Sequence, residues 1–270
     1  MRAIKYLVPK PIRQFIRQPR YTLDLYTSKF TFERRLRKAP PVFVFQMGKV
    51  ASSSIFKSLS EQYPGNVVHG HDFYENHEYW RISRIYDWSI KEKRNTHIIS
   101  LTREPVGRNI SAFFQNFKRE TGIAYEASNH SIDDLRTLFL EKYNHDIPLE
   151  WFQKNIQGNF HIDVFAEPFP ASGFNTYAQA NIRLLVMRAE LDDSIKVRAV
   201  KDFLGLETFH LVNANIGSQK AYAPTYRRFK DEVRLPDTYL QKMCGSTYFN
   251  HFYPKQTIEA VEQRWTASGS

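Results

Sequence analysis

Short apolar runs rich in Val, Ile, Leu and Phe recur along the chain, and polar or turn-forming residues separate them. Runs of this length and composition are typical of strands buried inside a sheet. We predict strands at Val42–Phe45, Asn66–His69, Thr96–Leu101, His161–Phe165 and Ile182–Met187.

The segments between these runs repeat apolar residues three and four positions apart, as amphipathic helices do when they pack on a sheet. The tail from Asn213 lacks this period before a last stretch from Thr257, so we predict that it is irregular. Alternating strands and helices favour an α/β fold with a mostly parallel central sheet flanked by helices. The predicted helices begin at Ser52 and cover 105–117, 133–143 and 195–204.

The composition is that of a globular protein of a reducing compartment. The 270 residues are 42% hydrophobic and 24% charged, which suits one α/β domain. The single cysteine, Cys244, excludes an intrachain disulfide. No apolar run approaches the roughly 20 residues that a membrane-spanning helix needs. We therefore expect a cytoplasmic protein.

Positive charge is concentrated at the N-terminus. Residues 1–38 hold eleven Lys and Arg against two acidic residues, and the remainder of the chain is nearly neutral. Apolar residues are threaded among these cations, as in basic amphipathic segments that dock on the inner face of a membrane. The alternative is an extension that packs on the domain. We do not expect nucleic acid as a partner, because the body has no basic stripe.

These features divide the chain into a basic N-terminal arm at 1–38, a main domain at 39–266 and a flexible tail at 267–270. The tail is short and rich in Ser and Gly, which is typical of a flexible end. Candidate chemistry therefore belongs to the main domain.

The first predicted strand passes into a helix through a loop that suits an anion. Backbone N–H groups at a helix start cradle an anion, and the helix dipole adds favourable potential. Serine hydroxyls can donate to phosphate or sulfate oxygens, and Lys49 supplies a positive charge. The Walker A order is absent, and a serine-rich N-cap beside a surface lysine is the alternative. The loop residues are Gly48, Lys49, Val50, Ala51, Ser52, Ser53 and Ser54.

The third predicted strand leads into a second junction of the same kind. Pro105 suits the first helical turn, where its missing N–H costs nothing. Arg103 lies just beyond the strand and Ser111 lies on the polar face of the helix, so both could converge on one anion. Arginine suits this task because its planar fork binds phosphate in a bidentate manner. A solvated charged helix face is the alternative.

A pair of histidines, His69 and His71, closes the second predicted strand. Alternation along a strand aims both imidazoles to the same side. Histidine can accept a proton at neutral pH, so the pair is a candidate general base. A pair of surface histidines is the alternative. A zinc site is disfavoured, because no third ligand lies at metal-site spacing.

Taken together, these motifs resemble the sulfotransferases that use 3′-phosphoadenosine 5′-phosphosulfate (PAPS). The first loop holds a lysine and small hydroxyl residues, and Arg103 and Ser111 are eight positions apart. The loop and the His-Gly-His sequence are most similar to heparan-sulfate and uronyl 2-O-sulfotransferases. The chain also resembles bacterial proteins of capsular-polysaccharide synthesis. The resemblance covers Val42 to Phe117, with weaker likeness at Leu184–Leu191 and Asn213–Tyr226.

The resemblance implies a P-loop-like three-layer fold in which residues 39–266 form the catalytic domain. PAPS would be the donor, with its phosphosulfate on the first loop and its 3′-phosphate on Arg103 and Ser111. Lys220 and Tyr222 lie in a late basic segment that would contact the nucleotide. No metal is expected on this interpretation.

The resemblance also implies how the reaction is divided among residues. His71 would be the base that accepts the proton of a glycan hydroxyl, with His69 as its helper. Lys49 would hold the sulfonate and stabilise the leaving phosphate oxygen. The expected acceptor is a surface or capsular polysaccharide or a glycolipid.

Two other classes of function remain open. A Mg²⁺-dependent kinase or NTPase would need an acidic metal ligand, and no strand ends in an aspartate of the Walker B type. A non-enzymatic protein that binds a polyanion or a membrane would act through residues 1–38.

Overall fold

The computed structural model describes residues 26–73, 79–125, 130–212 and 222–266. One five-stranded sheet has the order β2-β1-β3-β5-β4. The first four of these strands run parallel, and β4 pairs antiparallel with β5 at one edge. The α/β fold with a mostly parallel sheet is confirmed. The strands are β1 Val42–Phe45, β2 Val67–Gly70, β3 Thr96–Thr102, β4 Phe174–Gln179 and β5 Ile182–Arg188.

Helices flank this sheet, and two of them continue into π-helical turns, at 87–91 and 152–157. The helix α1 covers 26–36 of the described chain. The others are α2 Ser53–Gln62, α3 Tyr79–Tyr86, α4 Pro105–Gln115, α5 Phe117–Thr121, α6 Ile132–Lys142, α7 Ile147–Trp151, α8 Gly158–Phe160, α9 Asp193–Leu204, α10 Ala223–Glu232, α11 Asp237–Cys244, α12 Thr247–Phe252 and α13 Lys255–Trp265.

Strand burial explains the continuous apolar runs. Every residue of β1 is buried, as are six of the seven residues of β3. A parallel strand covered on both faces must be apolar throughout, and this is why runs without alternation indicate the sheet. The antiparallel edge strand β4 is the exception, because its burial is only partial.

Helix starts follow the capping residues in the sequence. Pro105 occupies the first turn of α4, and the Glu104 carboxylate accepts the Gly107 N–H. Ser131 and Asp134 form a capping box at α6, in which each side chain accepts the other's backbone N–H. The predicted starts near 105 and 133 are therefore confirmed.

Two predictions are wrong. Residues 161–165 do not form a strand in the structure; they follow α8, and His161, just after that helix, adopts a left-handed conformation (φ 56°). The antiparallel edge strand is β4 instead, and its polar sequence lacks the apolar run used to predict strands. The tail is also not irregular, since α10 to α13 occupy most of 222–265. Buried apolar residues of α10, α11 and α13 join a second core cluster, whereas those of α12 pack in the cluster of the sheet.

Part of the basic arm packs on the domain. Phe32 and Leu36 of α1 are buried in the core cluster of the sheet, and Asn66 Nδ2 donates to the Phe32 carbonyl at 2.8 Å. The remainder of the arm (1–25) and the tail at 267–270 lie outside the described residues. Within the described ranges, no helix has both the length and the hydropathy needed to cross a bilayer.

Candidate active site

The three sequence motifs meet at one edge of the sheet. The strands β2, β1 and β3 are adjacent and parallel, so the segments that follow them emerge side by side. In open α/β sheets, this carboxyl edge is where ligands bind. The structure therefore brings together the first loop, the histidine pair and the start of α4.

The loop after β1 has a backbone shaped for an anion. Lys49 and Ala51 adopt positive φ values of 73° and 59°, and Ser52 returns to φ −75°. Left-handed residues alternating with right-handed ones turn successive N–H groups toward one side, which makes an anion-binding concavity. Positive φ is costly for residues other than glycine, so the surrounding contacts must hold this loop in place.

The loop side chains divide into anchors and exposed groups. Val50 is fully buried and fixes the loop on the core. Ser52 is also buried, and its Oγ accepts from Gln46 Nε2 at 2.9 Å. Ala51 and Ser53 are exposed, whereas Ser54 is half-buried. Of the three serines, Ser53 and Ser54 therefore lie nearer the solvent at the start of α2.

His69 is neutral and forms part of the support of the loop. Its Nε2 lies 2.9 Å from Gln46 Nε2 and 3.1 Å from Ser52 Oγ. The Gln46 amide nitrogen can only donate, so His69 Nε2 accepts and the proton lies on Nδ1. Burial, followed by the charge of His71, lowers the pKa of His69 to about 4.

His71 presents its other nitrogen to the loop. Its Nδ1 lies 2.8 Å from the Gln46 carbonyl, which can only accept, so Nδ1 carries the proton and neutral His71 keeps a lone pair on Nε2. A Cβ built on Gly48 would lie 3.8 Å from this Nε2, which places the ring beside the loop. Trp151 Nε1 donates to the His71 carbonyl at 2.9 Å and fixes its backbone.

Arg103 ties the second junction to the first. Tyr248 Oη accepts the Arg103 N–H at 3.1 Å and donates to the Arg103 carbonyl at 2.9 Å. With its backbone held in this way, Arg103 donates from Nη1 to the Lys49 carbonyl at 2.9 Å. The guanidinium therefore borders the loop predicted to bind an anion.

One face of α4 lines the same loop. Arg108 Nε donates to the Gly48 carbonyl at 2.9 Å, and Lys49 Nζ donates to Gln115 Oε1 at 2.6 Å. Residues three and four apart share a helix face, so Ser111 lies on this face between the two contacts. The polar face is therefore directed at the loop rather than solvated along its length.

Arg108 is a buried cation without an acidic partner. It is 4% exposed, and its guanidinium donates to the Gly48 carbonyl, Asn109 Oδ1 and Tyr143 Oη, which are all neutral acceptors. None of the described carboxylates lies within ion-pair distance of it. Burial lowers its pKa, and Tyr143 opposes this effect. The positive field of Arg108 therefore acts on the loop.

Three residues later in the chain were also considered for the site. Tyr222 precedes α10 and packs its ring against Phe114 of α4 and against Tyr125. Lys220 lies outside the described residues. Glu190, at the end of β5, accepts from the Glu104 N–H at 3.1 Å and from Tyr253 Oη at 2.8 Å, so it braces the second junction.

Sequence reasoning missed four residues that build the site. Gln46 and Arg108 are close to the predicted motifs, and the helical spacing of Arg108 with Ser111 was the signal for its role. The other two, Trp151 and Tyr248, lie 80 and 145 residues from the groups they hold. No local pattern reports contacts of that range.

Comparison with known proteins finds one family. A family model described as "Putative capsular polysaccharide synthesis protein" matches residues 126–254. The matched part carries β4 and β5 and the residues Tyr143, Trp151 and Tyr248 that brace the site. No curated protein and no solved structure matches the chain.

Proposed function

We propose that this protein transfers a sulfuryl group from PAPS to a hydroxyl group of a glycan during the synthesis of a surface polysaccharide. The observation that supports it most is the convergence on one loop of left-handed backbone, Arg103, Arg108 and an acceptor nitrogen of His71. The first three favour a highly charged phosphate-containing donor, and the nitrogen favours an acceptor that must lose a proton.

The residues present suit PAPS on chemical grounds. The donor carries several negative charges, and the buried Arg108 holds a positive charge that no described carboxylate neutralises. We assign the phosphosulfate to the loop of Lys49, Val50, Ala51 and Ser52 to Ser54, and the 3′-phosphate to Arg103 and Ser111. Tyr222, packed at the far end of α4, is retained as a nucleotide contact.

Each protein group then has one task. PAPS supplies the sulfuryl group, whose bond to the 5′-phosphate oxygen breaks as the acceptor oxygen bonds to sulfur. His71 Nε2 takes the proton of the acceptor hydroxyl, so the charge that forms on this oxygen is limited. Lys49 and the loop N–H groups stabilise the negative charge that develops on the leaving phosphate oxygen. His69 positions Ser52 and Gln46 rather than taking a proton itself.

The glycan acceptor is supported by the family match. Residues 126–254 are similar to a family of capsular polysaccharide synthesis, and this region includes Trp151, which holds the backbone of His71. The base is therefore positioned by the part of the chain that the match covers. This link supports a polysaccharide or a glycolipid as the acceptor.

Calorimetric titration with 3′-phosphoadenosine 5′-phosphate tests the proposal. We expect binding without metal that weakens strongly when adenosine 5′-phosphate replaces it, because the 3′-phosphate is lost. Arg103→Ala should lower the affinity for the 3′-phosphorylated ligand by roughly 2–4 kcal/mol, since a charged contact disappears. Arg136→Ala, which removes a surface arginine of α6 that pairs with Asp133, is the matched control.

Other results would contradict the proposal. Binding of ATP only in the presence of Mg²⁺ would indicate a kinase or an NTPase. Equal affinity of the folded Arg103→Ala variant and the parent protein would remove Arg103 from the site. Absence of binding to either nucleotide would favour a non-enzymatic role for the basic arm.

A further inference from the structure

The outward face of α1 carries two exposed aromatic rings. Tyr26 and Phe30 are 68% and 71% exposed and lie one helical turn apart. Within the described part of the chain, Ile123 is the one other large apolar residue that is exposed. The opposite face of α1 is buried through Phe32 and Leu36. The rings are therefore a feature of one face, not of a poorly packed helix.

Cations continue this face. Arg34 follows Phe30 by one turn, and Arg37 and Lys38 come at the end of the helix, all three exposed. Arg37 and Lys38 line a shallow depression with Lys93 and Arg94, which precede β3. We call Tyr26, Phe30, Arg34, Arg37, Lys38, Lys93 and Arg94 the α1 surface.

Acidic neighbours do not neutralise the α1 surface. Glu33 of α1 and Glu92, beside Lys93, both form ion pairs with Arg84. Arg84 offsets one of these two negative charges, which leaves one against the seven-residue α1 surface and its five cations. The depression is lined by four cations and no carboxylate, so the local field is positive.

The α1 surface lies away from the candidate active site. Residues 37–40 precede β1 and residues 93–95 precede β3, so the depression is at the amino ends of the parallel strands. The loop of Lys49 and the histidine pair lie at the carboxyl ends. The two surfaces can therefore be altered independently.

We propose that the α1 surface binds the anionic headgroups of a lipid bilayer. Cations near such a surface are attracted to anionic lipid, and aromatic rings favour the boundary between headgroups and acyl chains. A soluble polyanion would use the cations but would leave the rings in water, so the combination favours a bilayer. Bound in this way, the protein directs its candidate active site away from the membrane. This inference does not depend on the proposed function.

Vesicle sedimentation of the full chain tests the charge requirement. We expect binding to vesicles of phosphatidylcholine with phosphatidylglycerol, and little binding to phosphatidylcholine alone. Substituting Arg37→Ser with Lys38→Ser should lower the partition coefficient roughly 30-fold, at about 5-fold per cation. Lys142→Ser with Arg198→Ser removes the same charge at exposed positions elsewhere and should change binding little.

A second pair of substitutions tests the bilayer against a soluble polyanion. Tyr26→Ser with Phe30→Ser keeps the charge, and it should lower vesicle binding roughly 10-fold because apolar area no longer enters the interface. Dextran sulfate binding should be unaffected by this pair. Full vesicle binding of the ring variant would show that charge alone carries the binding, as a soluble polyanion would allow, and would overturn the assignment to a bilayer.

Two further results would also overturn the membrane proposal. One is that the parent chain does not bind anionic vesicles. The other is that the Arg37/Lys38 variant and its charge control lose vesicle binding to the same extent. Titration with 3′-phosphoadenosine 5′-phosphate should give the same affinity in both α1 variants as in the parent protein. Nucleotide binding without vesicle binding would reject the α1 surface alone. Vesicle binding without nucleotide binding would reject the proposed function alone.

Discussion

The proton positions of two imidazoles distinguish their roles. His71 donates from Nδ1 to the Gln46 carbonyl, which leaves Nε2 as an acceptor beside Gly48. His69 is half-buried, and its Nε2 already accepts from the Gln46 amide. A shared strand end thus holds one histidine able to take a proton and one that supports the loop.

Replacing His71 with alanine tests this division. On the proposed function, turnover should fall by about 10²–10⁴-fold because the acceptor hydroxyl would lose its base. Affinity for 3′-phosphoadenosine 5′-phosphate should remain unchanged. The measurement is transfer of labelled sulfate from PAPS to a glycan, with the exposed His210→Ala as control. A normal rate in the His71→Ala variant would exclude this residue as the base.

Two half-buried histidines make stability depend on pH. Burial lowers the pKa of both His69 and His97 to about 4, while an imidazole in an unfolded chain titrates near 6.5. Below pH 6.5 these imidazoles become protonated in the unfolded chain but stay neutral in the native protein. The free energy of unfolding should therefore fall as the pH drops from 6.5 to 4, by at most about 3 kcal/mol for each residue.

Urea unfolding at several pH values measures this dependence. Little change from these two groups is expected between pH 7 and 8, where both states leave the imidazoles neutral. His97→Gln should reduce the slope between pH 6.5 and 4, because one contributing group is gone. An unchanged slope in this variant would show that His97 does not contribute.

At the scale of elements, the candidate site consists of two strand-to-helix junctions joined by side chains. Arg103 and Arg108 donate to consecutive carbonyls of the first loop, at Lys49 and Gly48. These bonds hold a loop whose positive φ values are otherwise unfavourable. The start of α4 and the residue before it therefore hold the shape of the loop and place two positive charges beside it.

Arg108→Lys tests this bracing. Lysine keeps the charge, but its single ammonium group lacks the fork that reaches the Gly48 carbonyl and Tyr143 Oη together. We expect the free energy of unfolding to fall by about 1–3 kcal/mol, together with weaker binding of 3′-phosphoadenosine 5′-phosphate. Chemical denaturation and calorimetry measure the two effects. Arg136→Lys, on the surface, should change stability by less than about 0.5 kcal/mol. If the Arg108→Lys variant matched the parent protein in both unfolding free energy and nucleotide affinity, this role of Arg108 would be contradicted.

For the whole molecule, two core clusters share a boundary. One lies on the sheet, and the other lies among α4, α6, α10, α11 and α13. Leu149 and Val261 pack against both clusters. Because the clusters share side chains, we expect the domain to unfold in a single cooperative transition.

Phe139→Ala tests this coupling from the second cluster. Phe139 contacts the rings of five residues, Phe113, Tyr143, His145, Phe229 and Tyr239. Its removal should cost about 3–5 kcal/mol and shift the whole transition in scanning calorimetry. Ile123→Ala, at an exposed position, should have little effect. A separate early transition, with the sheet cluster still folded, would show that the clusters unfold independently.

The sequence by itself determined the parallel sheet and the three motifs at its carboxyl edge. A strand buried on both faces must be apolar throughout, and the loop that follows it is marked by small or polar residues, so both signals are local. The same locality explains the predicted helix starts at Pro105 and Ser131. Even the placement of Ser111 toward the first loop follows from helical spacing.

Tertiary structure alone decided what supports these motifs. The burial of Arg108, the hydrogen bond from Trp151 to His71 and the clamp of Tyr248 on Arg103 join segments far apart in the chain. The polar edge strand β4 and the helices α10 to α13 were hidden for a related reason. Their burial depends on surfaces that come from distant parts of the chain. The hydrophobic periodicity of a segment shows that its two faces differ, but it does not show which surface covers either face.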